Sequence, residues 1–572
     1  MKISAFLISL LTLAVASTAL ADPADNWSDQ IDLSPLRTLT VQHDDTLKTL
    51  DTFARQTVAQ ITGHSTYDGH DSLFTLLDMS FRPERWVHRN VIKITNVPLR
   101  QEFQLLDSID DDEKQRILHE GTVSLVFLEQ PDVLDLLRNV QANSIAKSKA
   151  IDQIMMARDA MAEICGKDEK TGVDQAGFIP AAIIPPATNA DDDRQWHRVT
   201  EVFGNVPALV EFLKKNNMPV PEPLPNYQDR VGILSDIFAA CGGLLDGWDK
   251  GDPNKINRNA QELGELLPQI NPEVYPSHAK RLVEVIYNRL MMLTIPGAAF
   301  YVVAFVLFAM AAGSGLNGLR HWGLVAMVAA FLIHTTGIAV RWWLVGDIFP
   351  PIKNEFESVM FSAWFGALIG MILETRYPRG IFGAAASFVG ALALVAIFAA
   401  PYVTGTQIGG EIAPVQGILM SYWLYIHVTM VTTAYALIAM GFVLSAWWLV
   451  RYYSAPHPAG ELAALPPDGR LSLATLDMCN LVVLQLAFWV LGAGIILGAI
   501  WADQSWGRPW GWDPKETFAL VTWIVYLIVV HVRVATVNKG WWTAVLGCFG
   551  FFVMLFNWIG VNFLLVGLHS YA

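Results

Sequence analysis

The sequence is poor in charged residues and in cysteine, and it has no excess of positive charge. Asp, Glu, Lys and Arg make up 16% of the 572 residues and hydrophobic residues 53%, which is too apolar for a wholly soluble protein. The formal net charge of −14 provides no basic stripe to neutralise phosphates, which argues against a nucleic-acid partner. A chain of this length exceeds one compact core, so we expect at least two domains.

The four cysteines are far apart, and none belongs to a CxxC or CxxCH motif. This spacing excludes a thioether-attached cofactor on the chain itself. Cys165 and Cys241 fall in the more polar half, where a disulfide in an oxidising compartment and two isolated buried thiols both stay open. Cys479 and Cys548 fall in apolar runs, where we expect them to pack as small side chains.

The N-terminus has the three parts of a secretory signal. Lys2 supplies positive charge, residues 5–15 form an apolar core, and Ala19-Leu20-Ala21 is a small-x-small cleavage site. The apolar core is short for a membrane span. We therefore predict a signal peptide over residues 1–21, with an uncleaved anchor as the alternative, and expect the following residues to be exported.

Residues 22–290 are predicted to form the exported soluble domain, because we find no apolar run of membrane length in them. Apolar residues recur at three- and four-residue spacing in 115–137, 144–163, 198–215 and 278–293, which predicts a mostly helical domain. The acidic clusters at 110–113 and 191–193 are expected on the solvated surface.

Residues 291–572 are predicted to form a membrane domain of about eight transmembrane helices. Lipid cannot satisfy unpaired backbone groups, so each long apolar run should be a helix. The runs are 293–312, 324–343, 359–373, 382–399, 422–450, 481–500, 518–534 and 542–565, and we expect the third to begin at Glu355. The predicted fold class is therefore an all-α polytopic membrane protein preceded by a mostly helical exported soluble domain.

The distribution of basic residues predicts the orientation of these helices. With the N-terminal domain exported, the inner loops hold Arg320, Arg376, Arg379, Arg451, Arg470, Arg533 and Lys539. The outer loops hold mainly Arg341, Lys353, Arg508 and Lys515, in agreement with the positive-inside rule. Three segments then share the outer face with the start of the fifth run: 346–357, 501–516 and the tail from about 567.

The outer loop 501–516 contains four tryptophans, including Trp506, Trp510 and Trp512. An interfacial aromatic belt would explain tryptophans spread over many helix ends, but not the adjoining charged sequence Asp513-Pro514-Lys515-Glu516. A large flat ligand with acidic substituents needs ring faces for stacking and cations such as Arg508 and Lys515 for its carboxylates. Heme is such a ligand.

The segment WGRPWGWDPKE resembles the tryptophan-rich WWD signature of the heme-handling protein family of cytochrome c maturation. It departs from the usual pattern at Pro509, where an aromatic residue is more typical. The resemblance implies that Trp506, Trp510, Trp512 and Asp513 form a heme platform, with the propionates near Arg508 and Lys515.

Three histidines lie in segments that resemble family heme-binding segments. His427 lies about six residues into the fifth run, near its outer end, and His569 follows the eighth on the same predicted face. The resemblance implies that both ligate heme iron externally, against a plainer role as interfacial side chains. His531 lies within the seventh run, about 20 Å below the outer surface at 1.5 Å per residue. The resemblance implies a heme-transit ligand there, while the nearby Arg533 suggests a simple cytoplasmic-end cap.

A second segment resembles another signature of this family, with Phe356 where tyrosine is usual. Its residues His334, Arg341, Asn354 and Glu357 are expected to shape a chamber beside the tryptophan loop. For His334, a ligand role and a hydrogen-bonded packing role are both open. We predict no non-heme metal site.

The pattern over residues 290–572 most resembles the CcsA/ResC type of System II cytochrome c synthase. Residues 47–99 more weakly resemble part of the exported domain of the partner CcsB in fused synthases. The resemblance implies a heme-binding subunit of a holocytochrome c synthase, or heme lyase, in the bacterial inner membrane, with its N-terminal domain and tryptophan loop on the periplasmic side. It would hold heme b and support its thioether attachment to the CxxCH of apocytochrome c.

The implied partners are apocytochrome c, a CcsB/ResB-like membrane protein and a thioredoxin-like thiol reductant. Two other functions stay open. A heme exporter or chaperone would pass heme to a separate ligase without forming thioethers. A non-catalytic membrane subunit would use its tryptophans only as an interfacial belt and would bind no heme.

Overall fold

The computed structural model describes residues 27–43, 45–166, 178–188, 195–215, 220–290, 293–346, 352, 354–404, 421–454, 471–561 and 565. The predicted signal peptide, the acidic cluster at 191–193 and the predicted ligand His569 lie outside these residues. The chain divides into two compact units, the first ending at Ile286 and the second beginning at Tyr287. That the first unit is exported and soluble stays a prediction.

The first unit is mainly helical, with short antiparallel strand pairs. Its helices are α1 (Ser34–Arg37), α2 (Leu50–Thr62), α3 (Ser72–Phe81), α4 (Pro83–Val87), α5 (Val97–Glu102), α6 (Asp111–Glu120), α7 (Leu125–Leu128), α8 (Pro131–Asn143), α9 (Ile145–Cys165), α10 (Pro207–Lys215), α11 (Val231–Lys250), α12 (Pro253–Ile270) and α13 (His278–Arg289), which contains the division. The strand pairs are β1 (Thr40–His43) with β2 (Thr46–Thr49), β3 (Thr66–Tyr67) with β4 (His70–Asp71), and β5 (Ile92–Lys93) with β6 (Thr122–Val123). Four 3₁₀ turns in the described residues are Ser28–Gln30, Phe103–Leu105, Thr200–Asn205 and Pro225–Arg230.

Side-chain caps set several of these helix starts. Thr49 and Asp71 accept backbone hydrogen bonds from Thr52 and Phe74 and so begin α2 and α3. Gly121 ends α6 with φ +64°, a left-handed conformation that glycine adopts without steric cost. The predicted helical stretch 115–137 is therefore divided into three helices.

One buried carboxylate organises the core of the first unit. Asp78 is 4% exposed and accepts hydrogen bonds from the indoles of Trp86 at 2.9 Å and Trp248 at 2.8 Å. Because an unpaired buried carboxylate is costly, these two bonds fix how α3, α4 and α11 pack together.

An ion-pair cluster joins α1 to the starts of α2 and α3. Arg37 contacts Asp51 at 2.7 Å and also pairs with Asp71. Burial would raise the pKa of Asp71, but the amide of Phe74 and the charge of Arg37 outweigh burial and hold this pKa below its ordinary value. The cluster is therefore built to hold an ionised carboxylate.

Cys165 and Cys241 are free thiols in this structure. Cys241 is buried in α11, and Cys165 at the end of α9 directs its Sγ to the carbonyl of Met79 at 3.7 Å. Burial raises the pKa of Cys165 to about 12, so its thiol stays protonated at neutral pH.

The second unit contains the eight predicted membrane helices. They are α14 (Thr294–Ser314), α15 (Asn317–Val345), α16 (Glu355–Arg376), α17 (Ile381–Thr404), α18 (Tyr422–Ser454), α19 (Leu473–Trp506), α20 (Pro514–Ala535) and α21 (Lys539–Leu555), which continues as a π-helical turn, Phe556–Gly560. Each is long and apolar enough to cross a membrane, and α16 begins at Glu355 as expected. The protein is an all-α multi-pass membrane protein.

One further helix among the described residues, Asn226–Lys250, also meets these criteria of length and composition. The prediction that residues before 290 hold no such run is wrong for this helix. No charged residue lies between Asp236 and Asp246, so the central stretch of the helix is apolar. In the structure, its side chains Leu234, Ile237 and Trp248 are buried in the core of the first unit.

Close helix packing and a few polar bonds hold the second unit together. A Cβ atom on Gly370 would collide with Cβ of Ala386, so α16 and α17 touch through small residues. Asn480 donates to Ser445 at 2.9 Å between α18 and α19. Asn557 donates to the hydroxyl of Tyr435 at 2.8 Å, fixing the π-helical turn against α18.

Candidate functional site

The tryptophan loop joins the end of α19 to the start of α20. Gly507, with φ +69°, ends α19 and turns the chain into the loop. Trp501 is buried, and its ring meets that of Trp506 edge-on, with centroids 4.8 Å apart and an interplanar angle of 65°. The first pair of loop tryptophans is therefore anchored on the membrane helix itself.

The second pair of tryptophans projects from the loop. Trp510 and Trp512 stand nearly perpendicular, with centroids 5.8 Å apart and an interplanar angle of 87°. Trp512 is 70% exposed and has φ +56°, a backbone conformation that non-glycine residues rarely adopt. The predicted platform thus consists of two edge-on pairs, with the ring of Trp512 exposed at a strained position.

Asp513 has a structural partner inside the motif. Its carboxylate, on a residue 6% exposed, caps α20 by accepting the amide of Lys515 at 3.0 Å. Glu516 returns the contact by accepting the amides of Asp513 at 3.2 Å and Gly511 at 2.8 Å, which completes a capping box. The sequence WDPKE therefore positions Trp512 by starting a helix directly after it.

The two predicted propionate contacts lie in different surroundings. Arg508 is exposed in the loop, and its guanidinium covers Gly511 so closely that a Cβ there would lie 2.9 Å from Cζ. Lys515 is half-buried and donates to the carbonyl of Trp558 at 3.2 Å. Glu355, at the start of α16, is one of the charges that act on Lys515.

His427 lies near the start of α18, with its ring half-buried against α19. Its Nδ1 is 2.8 Å from the carbonyl oxygen of Gly494. A carbonyl only accepts, so Nδ1 carries the proton, and Nε2 of the neutral ring carries the lone pair that a metal binds. In this tautomer, Nε2 is the ring nitrogen that can ligate a metal.

His569, the second predicted ligand, lies outside the described residues, so the structure does not test its pairing with His427. The bond from Lys515 to Trp558 does bring the last membrane helix against the tryptophan loop. The described chain therefore reaches this end of the unit shortly before His569.

His531 lies apart from the loop, on α20, and is exposed on the second unit. Its Nδ1 is 2.8 Å from the carbonyl of Leu527, one turn earlier. Arg533 points elsewhere and forms a two-bond pair with Asp477 of α19, at 2.6 and 2.8 Å. Arg533 therefore contacts α19 near the end of α20, while the side chain of His531 is exposed.

The second signature forms a buried polar cluster between α15 and α16. Arg341, 1% exposed, donates to Glu357 at 2.6 Å, and its guanidinium lies 4.9 Å from the ring centroid of Phe356. Asn354 caps α16 by accepting the amide of Glu357 at 2.9 Å. The charge of Glu357 also acts on Tyr425, two residues before His427, which brings this cluster to the same end of the unit.

His334 is 1% exposed, and its Nδ1 lies 3.4 Å from the hydroxyl of Tyr301 on α14. The choice between a ligand role and a hydrogen-bonded packing role for His334 stays a prediction. Beside Arg341, burial raises the pKa of Tyr287 to about 12, although the charge of Arg341 acts in the opposite direction.

Sequence reasoning missed the residues that hold the predicted site residues in place. They are Tyr301 beside His334, Asp477 beside Arg533, and Gly494 and Gly498 beside His427. The two glycines carry a usable signal, since a glycine pair four residues apart in an apolar run is typical of close helix contact. The other partners depend on pairing between distant segments.

These features define an all-α multi-pass membrane protein with an aromatic and histidine-bearing site at one end of its membrane unit. A family model described as "Cytochrome C assembly protein" matches residues 352–569. Cytochrome c biogenesis protein CcsA of Synechococcus sp. strain CC9902 is 34% identical over 270 residues, covering 44% of this chain and 87% of the relative. CcsA of Prochlorococcus marinus strain NATL1A is 30% identical over 308 residues, covering 50% and 95%.

The chain belongs to the CcsA family of cytochrome c biogenesis proteins. Its function therefore lies in cytochrome c maturation and heme handling. Protein NrfI of Wolinella succinogenes is 30% identical over 411 residues, covering 68% of this chain and 43% of NrfI. That alignment is longer than the second unit, so the similarity to NrfI extends into the first.

Proposed function

We propose that this chain holds heme at the outer face of the bacterial inner membrane and supports its thioether attachment to the CxxCH segment of apocytochrome c. The observation that carries the proposal is the hydrogen bond from Nδ1 of His427 to the Gly494 carbonyl, which leaves Nε2 in the ligand form. His427 and His569 would bind the iron of the substrate heme from opposite faces.

The tryptophan loop would hold the porphyrin beside these ligands. The exposed ring of Trp512, together with Trp506 and Trp510, offers faces and edges to an aromatic macrocycle. Arg508, exposed in the loop, is available to a propionate, and Lys515 would supply a second cation. Asp513 would contribute by holding Trp512 in place through its helix cap.

The attachment itself needs no covalent group from this chain. Each substrate thiol adds across one heme vinyl group, so that its sulfur bonds to one vinyl carbon and a proton reaches the other, without net oxidation. The four cysteines are buried or half-buried thiols outside the tryptophan loop, which is consistent with a role in positioning and in control of iron redox state.

His531 would receive heme on its way to the outer site. Its exposed position on the second unit leaves it accessible to heme in the bilayer or to a CcsB/ResB-like membrane partner. Arg341, Glu357 and Asn354 would hold the end of α15 against the start of α16 beside the loop.

The first unit would lie in the periplasm and guide apocytochrome c or contact the partner, with a thioredoxin-like protein keeping the substrate thiols reduced. The similarity to NrfI, which extends into this unit, supports a role tied to the same process. A heme exporter that delivers to a separate ligase is the second candidate, because it would share the ligands and the exposed His531.

The test is the absorption spectrum of the full chain purified in detergent, compared with His427→Gly and His569→Gly. We expect a six-coordinate, low-spin heme spectrum that each variant converts and that added imidazole partly restores. A folded wild type without heme, or an unchanged spectrum in both variants, would contradict the proposal. Covalent hemylation of a co-expressed CxxCH protein then separates a synthase from an exporter.

A further inference from the structure

The ring of His427 lies in a notch on α19 made by two glycines one helical turn apart. Gly494 offers its carbonyl oxygen to Nδ1 at 2.8 Å. A Cβ atom on Gly498 would lie 2.5 Å from Cε1, 2.7 Å from Nδ1 and 3.2 Å from Nε2 of the same ring. No side chain can therefore occupy position 498 while the imidazole keeps this place.

Gly494 brings the two helices close enough for this bond. A Cβ atom on Gly494 would lie 2.9 Å from Cγ2 and 3.3 Å from the backbone nitrogen of Val431, one turn after His427 on α18. The absent side chain lets the helix backbones approach, which places a helix carbonyl within reach of the imidazole. A carbonyl has two lone pairs, so it can accept from the ring while it keeps its helical bond.

We propose that Gly494 and Gly498 are positioning residues for His427, and that together they fix the tautomer and the ring orientation in which Nε2 binds heme iron. The inference rests on the proposed function, because it assigns His427 to iron. It adds that ligation depends on the surface of α19 as well as on the helix that carries the histidine. An outer-shell acceptor of this kind also makes the imidazole a more basic ligand.

The alternative is that both glycines serve helix packing alone. The chain offers a matched control in Gly492 on the same helix, where an added Cβ would lie 2.6 Å from Nε1 of Trp523. Alanine at 492 and alanine at 498 therefore introduce clashes of similar closeness, but only alanine at 498 meets the histidine ring.

The experiment compares the purified full chain with Gly498→Ala and Gly492→Ala by absorption spectroscopy and by reductive titration of the bound heme. We expect Gly498→Ala to weaken heme retention about 10- to 100-fold and to shift the low-spin spectrum, with imidazole restoring it as in His427→Gly. Gly492→Ala should keep the wild-type spectrum and potential. A wild-type spectrum and potential in Gly498→Ala, or an equal shift in both variants, overturns the proposal.

If Gly498→Ala is produced in low yield, a double-mutant cycle of melting temperatures still tests the proposal. In the His427→Gly background the clash partner is gone, so alanine at 498 should lower the melting temperature much less than in the wild type. An equal decrease of the melting temperature in both backgrounds contradicts the proposed contact between position 498 and His427. A wild-type protein that binds no heme contradicts the proposed function. A wild-type protein with low-spin heme whose spectrum is the same in Gly498→Ala contradicts only the positioning role of the glycines.

Discussion

Trp512 combines an exposed indole ring with a backbone conformation suited to glycine. We predict that Trp512→Gly leaves the loop folded, because glycine adopts φ +56° without strain, but weakens heme retention about 2- to 10-fold, the equivalent of about 0.5–1.5 kcal/mol of aromatic contact. Trp512→Phe should retain most of the heme. The measurement is heme content per purified protein, with Trp489→Ala, a change at another exposed tryptophan, as the control. Equal heme in all three variants would favour an interfacial belt.

Cys165 should be unreactive in the folded protein. Burial raises its pKa to about 12, so the reactive thiolate is scarce at neutral pH. The thiolate fraction therefore still increases as the pH rises towards this pKa. We predict negligible iodoacetamide labelling of Cys165 at neutral pH and a labelling rate that still rises above pH 9, followed by mass spectrometry. Denatured protein, with an ordinary thiol pKa, serves as the control and should label readily. Fast labelling of the native thiol would contradict the buried position.

The residue types of the candidate site were predictable from sequence, because four tryptophans beside charged residues suit a flat, acidic ligand better than an interfacial belt. The arrangement of the rings was not predictable. Two edge-on pairs arise from the left-handed backbone at Trp512, beside the local capping box, and from the burial of Trp501 by tertiary packing. The partners of His427 and Arg533 were missed because each lies on another helix, far away in the chain.

At the scale of elements, the bond between Arg341 and Glu357 joins α15 to α16 in a buried setting. We predict that Glu357→Leu destabilises the protein by about 3–5 kcal/mol, because it leaves a buried guanidinium without this counter-charge. The double variant Arg341→Leu/Glu357→Leu should be clearly more stable than the single one. Thermal unfolding in detergent measures both. Equal melting temperatures would indicate that Arg341 finds other compensation.

The membrane helices were predicted well because each of them coincides with a long apolar run of the sequence. The observed ends extend beyond the predicted runs where polar residues continue a helix, as at Leu473–Trp506 for the run 481–500. The helix Asn226–Lys250 was missed because its charges occupy both ends and one central position, while the interior is rich in small residues. In the first unit, Gly121 divides a continuous helical pattern, a local backbone effect that periodicity does not register.

At the scale of the whole molecule, acid should loosen the first unit through Asp71. Its folded pKa lies below the ordinary 3.8, so its contribution to stability is complete above that value and is lost as the pH falls through the folded pKa. We predict that Asp71→Asn increases deuterium uptake of α3 relative to wild type at about pH 6, and that this difference narrows at about pH 3. Hydrogen-exchange mass spectrometry of the full chain measures both.

Asp135→Asn is the matched control for this titration, because its carboxylate is 69% exposed and pairs with a similarly exposed Arg138. Exposed pairs contribute little to stability, so that variant should match the wild type at both pH values. A difference for Asp71→Asn that stays constant across the pH range would contradict the role of its ionised form.

The buried thiols of the first unit affect how this chain can handle a client protein that carries cysteines. Cys165 and Cys241 lie within the first unit as separate reduced side chains, and the protonated, buried state of Cys165 slows its entry into disulfide exchange. If the first unit receives a client that presents its own cysteine pair, the chain can hold that client without capturing it as a mixed disulfide. The low reactivity of Cys165 leaves the client's cysteine thiols available for thioether formation.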